Sequence, residues 1–353
     1  MSIPVRNLYF MLCYAWDRLE EAESIPVGVE STTDIKDLLA RILINGTRRC
    51  LKEGLDGGYL ETEVVVAGIR GRLKVSDSIA QGRMLLGRNV CDVDEFTPNT
   101  LANQILKTTL WRLSRVGELN ANLKRAISEV LARMGAVSVR HHLSRHDFQK
   151  IQLHGNNRLY RFLLNICEIV LNDVLVEQGK GTYLFKDFIQ NEQRMRQVFQ
   201  DFVFNFLKRH QTHFSVARDR FHWDTDALPD ASRGWLPMME TDITLRSQDR
   251  VVVIDTKFSK HTLQSNFGKQ SVRSDHLYQI FSYLKNLERR GPPYDTAEGI
   301  LLYPVVNQEV NLSFTLPGHR VSVQTIDLRL PSQQLSESLL RTTCNVVVTI
   351  GNC

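Results

Sequence analysis

The fold is decided by Met239-Glu-Thr-Asp-Ile-Thr-Leu-Arg246 and Arg250-Val-Val-Val-Ile-Asp-Thr-Lys257, which read as two β-strands joined by a tight turn. Residues 251–254 are apolar and β-branched on both faces, as expected of a central strand that is buried on both sides. Asp255 and Lys257 end this strand two residues apart, so their side chains point to the same face of the sheet. The pattern predicts a buried sheet with charged groups at one strand end.

The turn determines which side chains lie opposite each other. If residues 248–249 form a two-residue turn, Ser247 faces Arg250 and Asp242 falls directly opposite Asp255. Opposed residues on antiparallel strands share a face, with Cβ atoms roughly 4.5–5.5 Å apart. One magnesium ion, with oxygen ligands at about 2.0–2.1 Å, could then bridge the two carboxylates. The Gln-Asp pair is not a favoured type I′ sequence, however, and a slip of one residue would turn Asp242 to the opposite face.

Two interpretations of these charged residues compete. An Asp-x-Lys tripeptide arises often by chance, and a charged pair at a strand end is usually a solvated surface feature. Charges at the end of a hydrophobic strand are nevertheless costly to hold near a core. A second carboxylate in register with the first would allow all of these charged groups to act at one site. Metal-assisted phosphodiester hydrolysis requires this kind of arrangement. The conjunction of Asp242, Asp255 and Lys257, rather than either motif alone, points to a hydrolase site.

The composition is that of a globular protein with room for two domains. The chain has 353 residues, of which 42% are hydrophobic and 24% are charged. Its net charge of +5 is compatible with nucleic acid binding but does not demonstrate it. The six cysteines form no CxxC pair, which favours a reducing, cytoplasmic setting. No apolar run approaches the ~18 residues of a membrane span, and we expect a buried helix, not a signal peptide, over the aromatic segment 8–16.

Hydrophobic periodicity predicts an alternation of helices and strands. We expect helices over 34–53, 100–116, 120–134, 158–178, 193–209 and 275–289. We expect strands and hairpins over 59–94 and a further apolar strand over 299–306. Gly179-Lys-Gly181 is the best linker candidate and divides the chain into residues 1–178 and 179–353. The element order in the second part is typical of an α/β module.

Two signatures of nucleotide binding are missing from the sequence. It contains neither G-x-x-x-x-G-K-[ST] nor G-x-G-x-x-G after a strand, so we expect no nucleotide to bind to this chain alone.

His142 and His146 are four residues apart, but the segment between them lacks the Glu of the H-E-x-x-H metal motif. Solvated positions are the default interpretation of these histidines.

A basic segment punctuated by glycines lies in the N-terminal half. Its charged residues are Arg70, Arg72, Lys74, Arg83 and Arg88, with Asp77 as the only acid among them. One interpretation is a basic hairpin that inserts into a nucleic acid or into the pore of an acidic partner. The other is a solvated edge strand, where positive charge deters edge-to-edge pairing, and charge alone favours this second interpretation.

Blocks of sequence that follow one another along most of the chain together support a family resemblance. The blocks are Ile3-Pro-Val-Arg-Asn7, Gly68-Ile-Arg-Gly-Arg72, Asn99-Thr-Leu-Ala-Asn103, Met239-Glu-Thr-Asp242, Val253-Ile-Asp-Thr-Lys257 and Leu277-Tyr-Gln279. Each is modest alone, but the set resembles the McrC family, the nuclease subunits of McrBC modification-dependent (type IV) restriction systems. The resemblance implies an α+β N-terminal domain with a basic β-hairpin region, followed by an α/β domain of the PD-(D/E)xK, restriction-endonuclease-like type with a central mixed sheet flanked by helices. It assigns residues 1–178 to partner binding and residues 179–353 to DNA cleavage.

The resemblance also implies roles for individual residues of the second domain. The family's two acids fall on Asp242 and Asp255 and its lysine on Lys257, with Gln279 on the following helix as a further catalytic residue. Magnesium, or manganese in its place, would be held by the two carboxylates and by the backbone carbonyl of Thr256. Basic residues expected near DNA phosphates, giving affinity that falls with salt and little sequence readout, are Lys260, Lys269 and Arg273.

Two positions depart from the family pattern. Thr241 stands where the family has a proline before the first acid. Many related nucleases have a Glu on the preceding helix, where this chain has Gln200 with Asp201 beside it. Whether a third carboxylate binds the metal is therefore left open.

The resemblance further implies a partner, an McrB-like hexameric AAA+ ring that hydrolyses GTP and recognises methylated DNA. The N-terminal domain would dock on the ring and stimulate its GTPase, which makes Arg70, Arg72 and Lys74 candidates for ring contact. Double-stranded DNA is the implied substrate, and a double-strand break with one active site per chain suggests that two copies pair. Two alternatives stay open: a non-catalytic activator of a ring NTPase, and a free-standing RecB-like nuclease.

Overall fold

The structure, a computed structural model, describes most of the chain. The described residues are 3–20, 34–151, 157–176, 183–185, 191–225, 235–259, 264–266, 269–305 and 308–344. Their helices are α1 (Val5–Ala15), α2 (Ile35–Glu53), α3 (Val75–Ala80), α4 (Leu101–Ser114), α5 (Ala121–Arg133), α6 (Arg145–Gln149), α7 (Arg158–Asp173), α8 (Glu192–His210), α9 (Ser274–Glu288) and α10 (Ser332–Cys344). Their strands are β1 (Gly58–Ala67), β2 (Arg72–Leu73), β3 (Arg88–Thr97), β4 (Val174–Val176), β5 (Tyr183–Phe185), β6 (Ser215–Ala217), β7 (Arg220–Phe221), β8 (Met239–Glu240), β9 (Ile243–Arg246), β10 (Val251–Thr256), β11 (Gln264–Asn266), β12 (Lys269–Ser271), β13 (Glu298–Pro304), β14 (Asn311–Leu316) and β15 (His319–Ile326).

The described residues fall into two compact units. The six-stranded unit contains residues 3–20 together with the described residues between 191 and 344. The three-stranded unit contains the described residues between 34 and 185. Helix α1 therefore packs in the same unit as the C-terminal part of the chain. The division of function predicted for residues 1–178 and 179–353 stays a prediction.

A mixed sheet forms the core of the six-stranded unit, with the strand order β14-β15-β13-β10-β9-β6. Strand β13 runs parallel to both β10 and β15, and the other neighbours are antiparallel. Every residue of β10 is buried, as expected for a strand in the middle of a sheet that is covered on both faces. The predictions of a mixed sheet and of a central strand in this segment are confirmed.

The hairpin of β9 and β10 has the predicted register. Val253 pairs with Thr244, which is the pairing that a two-residue turn requires. The Ser247 N–H donates to the Arg250 carbonyl at 2.9 Å and closes that turn. The Ser247 hydroxyl also donates to the Asp249 carboxylate at 2.8 Å and accepts from the Arg250 N–H at 3.2 Å. These side-chain hydrogen bonds explain how a Gln-Asp turn forms although its sequence is not a favoured one.

The first predicted strand is broken just before the first acid. Strand β8 pairs with β7, and β9 begins only at Ile243. Between them, the Thr241 N–H donates to the Asp219 carbonyl at 3.0 Å. The buried Thr241 hydroxyl shares a hydrogen bond of 2.8 Å with the Thr244 hydroxyl. Thr241 thus uses an N–H that the proline of the family pattern would lack.

Helix α9 packs against β10 and β13 and determines which residues can meet at the strand end. Its apolar side chains Ile280, Leu284 and Leu287 recur at helical spacing and join Val253 in one buried cluster. Because side chains alternate along a strand, Asp255 lies on the same face of β10 as Val253, toward α9. The helix therefore brings its own polar residues to the carboxylate.

Helix α1 is anchored by polar contacts with distant parts of its unit. The Tyr14 hydroxyl forms a hydrogen bond of 2.7 Å with Nε2 of His210 on α8. The buried Asn7 amide donates to the carbonyls of Leu328 and Leu330 at 2.6 and 2.7 Å. The predicted opening helix is confirmed, and these contacts explain why it belongs to the six-stranded unit.

The three-stranded unit differs from the expectation in one segment. Strands β1 and β3 pair along their length, and β2 lies on the other side of β3. Residues 75–86, predicted to be part of the strands and hairpins, form α3 and a short 3-10 helix instead. The Ser78 hydroxyl donates to the Lys74 carbonyl at 2.7 Å and accepts from the Val90 N–H at 2.8 Å. That buried serine fastens the first turns of α3 to β3, a tertiary contact that overrides the local strand pattern.

The chain around the predicted linker also differs in detail. The helix predicted for 158–178 ends at Asp173, and the chain continues as β4, which pairs with β5. The linker candidate Gly179-Lys-Gly181 lies outside the described residues. After β13, the chain adds β14, β15 and α10, for which the sequence analysis made no prediction.

Four cysteines of the described segments behave as small apolar residues. Cys13, Cys50, Cys91 and Cys167 are buried, and none of the four forms a disulfide. Burial raises the pKa of the Cys167 thiol to about 12. A search of the described helices finds none long and apolar enough to cross a membrane.

Gly299 on β13 gives α9 room to approach the sheet. A Cβ at this position would lie 2.8 Å from Cγ1 of Ile280 and 3.1 Å from Cδ1 of Leu284. We expect Gly299→Ala to lower the free energy of unfolding by about 1–3 kcal/mol, because both side chains must leave their packed positions. Urea unfolding measures the effect. Gly117→Ala is the control, since a Cβ there meets nothing within 4 Å. Equal effects of the two substitutions would contradict this account of the packing.

Candidate active site

The two predicted carboxylates lie at the open end of the β9–β10 hairpin. The paired ladder ends at Ile254 and Ile243, so Asp255 and Asp242 occupy the next opposed positions. The N–H and the hydroxyl of Thr256 both donate to Oδ2 of Asp242, each at 2.7 Å. These two hydrogen bonds tie Asp242 to the strand that contains Asp255.

The Asp255 carboxylate is buried with little compensation. Its side chain is 1% exposed, and within the described residues neither oxygen accepts a hydrogen bond of ordinary geometry. Lys257 Nζ lies 2.8 Å from Oδ2 and forms an ion pair, but its direction of approach is not that of a hydrogen bond. Burial, and then repulsion from Asp242, raise the pKa of Asp255 to about 7, although Lys257 opposes the shift. A carboxylate in this state has free oxygens for a cation.

Asp242 is better compensated than Asp255. Burial raises its pKa, while the hydrogen bonds from Thr256 and the charges of Lys257 and Arg218 oppose that rise. Both of its hydrogen bonds within the described residues go to Oδ2. Oδ1 is therefore the oxygen that remains for a ligand.

Two hydrogen bonds fix the position of the lysine. Lys257 Nζ donates to Oε1 of Gln279 at 2.7 Å, and Nε2 of Gln279 donates to the Tyr283 hydroxyl at 2.9 Å. Tyr283 thus sets the orientation of the amide, so that its oxygen faces the ammonium. The structure brings Asp242, Asp255, Lys257 and Gln279 together, and their roles in catalysis stay predictions.

Two residues that the sequence did not reveal stand beside this cluster. Tyr303 on β13 is fully buried, and its hydroxyl forms a hydrogen bond of 2.7 Å with Nδ1 of His276 on α9. Burial, followed by repulsion from Lys257, lowers the pKa of His276 to about 4. Burial, and then the charge of Asp255, raise the pKa of Tyr303. A single histidine before the Leu277-Tyr-Gln279 block matches no motif, so no sequence signal marked it.

A third carboxylate does not join the cluster in the part of the chain that the structure describes. Asp201 on α8 pairs instead with Arg218, at an N–O distance of 2.5 Å. No group of three or more His, Cys, Asp or Glu that could hold a metal occurs among the described residues. Asp242 and Asp255 are thus the acidic ligands that this part of the site offers.

The donor set of the site fits magnesium. Magnesium prefers oxygen ligands and is commonly bound by one or two carboxylates together with waters and substrate phosphates. Asp255 offers buried oxygens that lack hydrogen-bond donors within the described residues, and Asp242 offers Oδ1. A divalent cation would also offset the repulsion between the two carboxylates. The Thr256 carbonyl as a further ligand stays a prediction.

The predicted DNA contacts are described only in part. Lys260 lies outside the described residues, and Lys269 lies on β12 with a side chain that is likewise outside them. Arg273 directly precedes α9 and pairs with the Asp275 carboxylate, its Nε at 3.2 Å from Oδ1 and its Nη2 at 3.0 Å from Oδ2. Contact of all three with DNA stays a prediction.

The predicted partner contacts lie in the three-stranded unit and differ among themselves. Arg70 and Arg72 are exposed where the chain passes from β1 to β2. Lys74 instead pairs with three carboxylates, the nearest being Glu63 at 2.8 Å. The charge of Lys74 is therefore compensated by neighbours on β1, α3 and β3, whereas Arg70 and Arg72 present theirs to solvent.

Comparisons with known proteins agree with one another. The family model described as McrBC 5-methylcytosine restriction system component matches residues 5–304. The type IV methyl-directed restriction enzyme EcoKMcrBC of Escherichia coli K12 is 30% identical over 326 residues, which cover 92% of this chain and 93% of that relative. A refined half-complex from a tetradecameric assembly of Thermococcus gammatolerans McrB AAA+ hexamers with bound McrC contains a similar fold. That match has a TM-score of 0.60 and 14% identity and covers 97% of this chain and 76% of the other.

The buried charge of Asp255 is expected to make stability fall as pH rises. Its pKa is about 7 in the folded protein against 3.8 as the ordinary value. Between these pH values the folded state holds the proton more tightly than the unfolded state does. The contribution of Asp255 to the free energy of unfolding therefore decreases with rising pH, by on the order of 4 kcal/mol. Asp255→Asn should lack that decrease. Urea unfolding with EDTA, from pH 4 to pH 8, measures it.

The control for this experiment is Asp249→Asn, which changes an exposed carboxylate in the turn of the same hairpin. We expect its unfolding free energy to follow that of the unmodified protein at each pH. The stability difference between Asp255→Asn and the unmodified protein should grow up to about pH 7 and then level off. A difference that shrank with rising pH would contradict the assigned protonation state.

Proposed function

The chain belongs to the family of McrBC 5-methylcytosine restriction system components, and we propose that it is a magnesium-dependent DNA endonuclease subunit that acts with an McrB-like AAA+ GTPase ring in the cytoplasm. The observation that supports this proposal most directly is the meeting of Asp242, Asp255 and Lys257 at one strand end. A curated relative that covers most of the chain is a methyl-directed restriction enzyme. We assign the six-stranded unit to the PD-(D/E)xK class of nucleases.

Asp242 and Asp255, with the Thr256 carbonyl, would hold the magnesium ion. The ion would supply Lewis-acid chemistry at this place, by polarising a phosphoryl oxygen and lowering the pKa of a water molecule. Burial raises the pKa of Asp255 to about 7, so its carboxylate becomes a full ligand as it loses its proton near neutral pH. Asp242, held by Thr256, fixes the second ligand before any ion arrives.

Lys257 supplies positive charge to the reacting phosphate. Its ammonium orients the attacking water or stabilises the additional negative charge of the transition state. Asp255 and Gln279 hold it from two sides, at 2.8 and 2.7 Å. Tyr283 in turn holds Gln279. The ammonium is therefore positioned before the substrate binds, which limits reorganisation during the reaction.

The three-stranded unit is proposed to dock on the ring and to stimulate its GTPase. A solved structure with a similar fold contains McrC bound to McrB AAA+ hexamers. Arg70 and Arg72 are exposed cations in a segment that also exposes Ile69, which suits a protein contact more than a solvated edge. GTP binding and the choice of methylated cytosine would belong to the ring. A break in both strands would then require two copies of this chain.

We expect Asp255→Ala and Lys257→Ala each to abolish cleavage of methylated DNA, with a loss of at least about a hundredfold for Lys257→Ala. The reason is that each substitution removes a group that acts directly on the metal or on the phosphate. The measurement is the cleavage rate of a methylated duplex by the chain with its ring partner, GTP and magnesium. Ring assembly and GTPase stimulation should be unchanged.

Matched controls separate this proposal from the alternatives. Asp249→Asn and Lys285→Ala change exposed residues of the same residue types in the six-stranded unit, keep an acceptor for the Ser247 hydroxyl, and should cut DNA normally. DNA that stayed whole with the unmodified chain, while the GTPase was stimulated, would identify a non-catalytic activator. Cutting by the isolated chain without any NTPase would identify a free-standing nuclease. Cleavage that survived Asp255→Ala would remove the proposed site.

Reversing the charge of Arg70 and Arg72 tests the docking role. We expect Arg70→Glu with Arg72→Glu to lower GTPase stimulation by at least about tenfold, because charge reversal at a contact opposes association. The measurement is the GTPase rate of the ring as a function of chain concentration. Arg125→Glu, an exposed arginine on α5 of the same unit, is the control. Equal stimulation by the double variant and the control would place the ring contact elsewhere.

A further inference from the structure

The contact between Tyr303 and His276 determines where the imidazole has its proton. Tyr303 is 0% exposed, and among the described residues His276 Nδ1, at 2.7 Å, is the partner of its hydroxyl. A buried hydroxyl needs an acceptor for its hydrogen. If Nδ1 were protonated, the phenol would accept and its own hydrogen would have no acceptor. The favoured arrangement therefore has Tyr303 donating to Nδ1, with the ring proton on Nε2.

The Nε2–H of His276 is left without a strong acceptor. The nearest carboxylate oxygen, Oδ2 of Asp275, lies 3.8 Å from Nε2, beyond hydrogen-bond distance. Asp275 is moreover already paired with both donor nitrogens of the Arg273 fork. The imidazole is neutral, because burial and the nearby charge of Lys257 lower its pKa to about 4. His276 thus presents a directed, uncharged donor whose side chain is 14% exposed.

Cations from three elements of the fold lie close enough to His276 to act on its charge. The charges that act on His276 are those of Lys257 at the end of β10, Asp275 and Arg273 at the start of α9, and Arg196 on α8. Arg196 is exposed and has no hydrogen bond or ion pair within the described part of the chain. Three cations and one acid therefore act on a donor that lacks an acceptor among the described residues. An anion would accept a hydrogen bond from Nε2 and would be attracted by this excess of positive charge.

We propose that His276, Arg196 and Arg273 form a binding site for a DNA backbone phosphate next to the one that Lys257 contacts. His276 donates through Nε2, and the two guanidiniums supply charge. Tyr303 acts as a positioning residue, because it fixes the tautomer of His276 without touching DNA. The inference rests on the proposed nuclease function and extends it, since this site would hold the strand on the side of α9 while the carboxylates act on the neighbouring phosphate.

The test is the affinity of the full chain for a DNA duplex, with calcium in place of magnesium, across a range of salt concentrations. We expect His276→Ala to weaken binding roughly tenfold at every salt concentration, because a hydrogen bond to a charged group is lost. The dependence on salt should be unchanged, because a neutral donor releases no counterion. Arg196→Ala and Arg273→Ala should instead each lower the salt slope by about 0.9.

A pair of conservative variants keeps the test decisive if His276→Ala does not fold. The amide nitrogen of Gln reaches the place of Nε2, whereas that of Asn reaches the place of Nδ1. We expect His276→Gln to bind DNA nearly as the unmodified chain does and His276→Asn to bind as weakly as His276→Ala. His213→Ala, an exposed histidine after α8, is the control and should bind normally. Equal binding by His276→Gln and His276→Asn would overturn the proposal.

Nitrogen NMR of labelled histidine tests the role of Tyr303 separately. In the unmodified chain we expect Nε2 to be the protonated nitrogen of His276, and in Tyr303→Phe a mixture of the two tautomers. A proton on Nδ1 in the unmodified chain would overturn the assignment.

Normal DNA binding by His276→Ala, together with loss of cleavage in Asp255→Ala, would refute this site alone. Cleavage by Asp255→Ala with weakened binding by His276→Ala would refute the nuclease assignment alone.

Discussion

Two hydrogen bonds from Thr256 to Asp242 hold the site together. They join the last residue of β10 to the segment that precedes β9, and so they place Asp242 beside Asp255. On the other side of β10, the Lys257 N–H donates to the Leu302 carbonyl of β13 at 2.8 Å. The end of β10 is thus held by hydrogen bonds on both sides, from the segment before β9 and from β13. The direction of Lys257, and with it the contact to α9, follows from this geometry.

The same placement exposes the protein to an electrostatic penalty. Asp255 is buried without hydrogen-bond donors in the described residues, and its neighbour Asp242 has the same charge. A structural role alone does not explain a carboxylate at this position, because apolar side chains of similar size would pack there without the penalty. The surrounding apolar core of β10, β13 and α9 supplies stability that offsets this electrostatic penalty. Groups perturbed in this way concentrate at functional sites.

The parts of this site that could be predicted from sequence are those set by local periodicity. The alternation of side chains and the length of the turn were enough to pair Asp242 with Asp255. Gln279 could be named only through the family resemblance, since its distance from Lys257 depends on how α9 packs. The contact of His276 with Tyr303, 27 residues apart, depends on the same packing and left no local pattern. Ser78 shows the converse, because its buried contact with β3 made a helix where alternation indicated strands.

Helix α1 makes the six-stranded unit discontinuous along the chain, and this affects its biosynthesis. Asn7 donates to a carbonyl 321 residues later. A ribosome adds about 5–20 residues per second, so α1 leaves the exit tunnel on the order of tens of seconds before Leu328 is made. Until α8 at Glu192–His210 is made, the apolar side chains Leu8, Met11 and Leu12, which are fully covered in the finished protein, lack the helix on which α1 packs. The nascent chain therefore exposes an apolar helix that molecular chaperones can bind, and this helix reaches its final contacts only when the C-terminal part of the unit has been made.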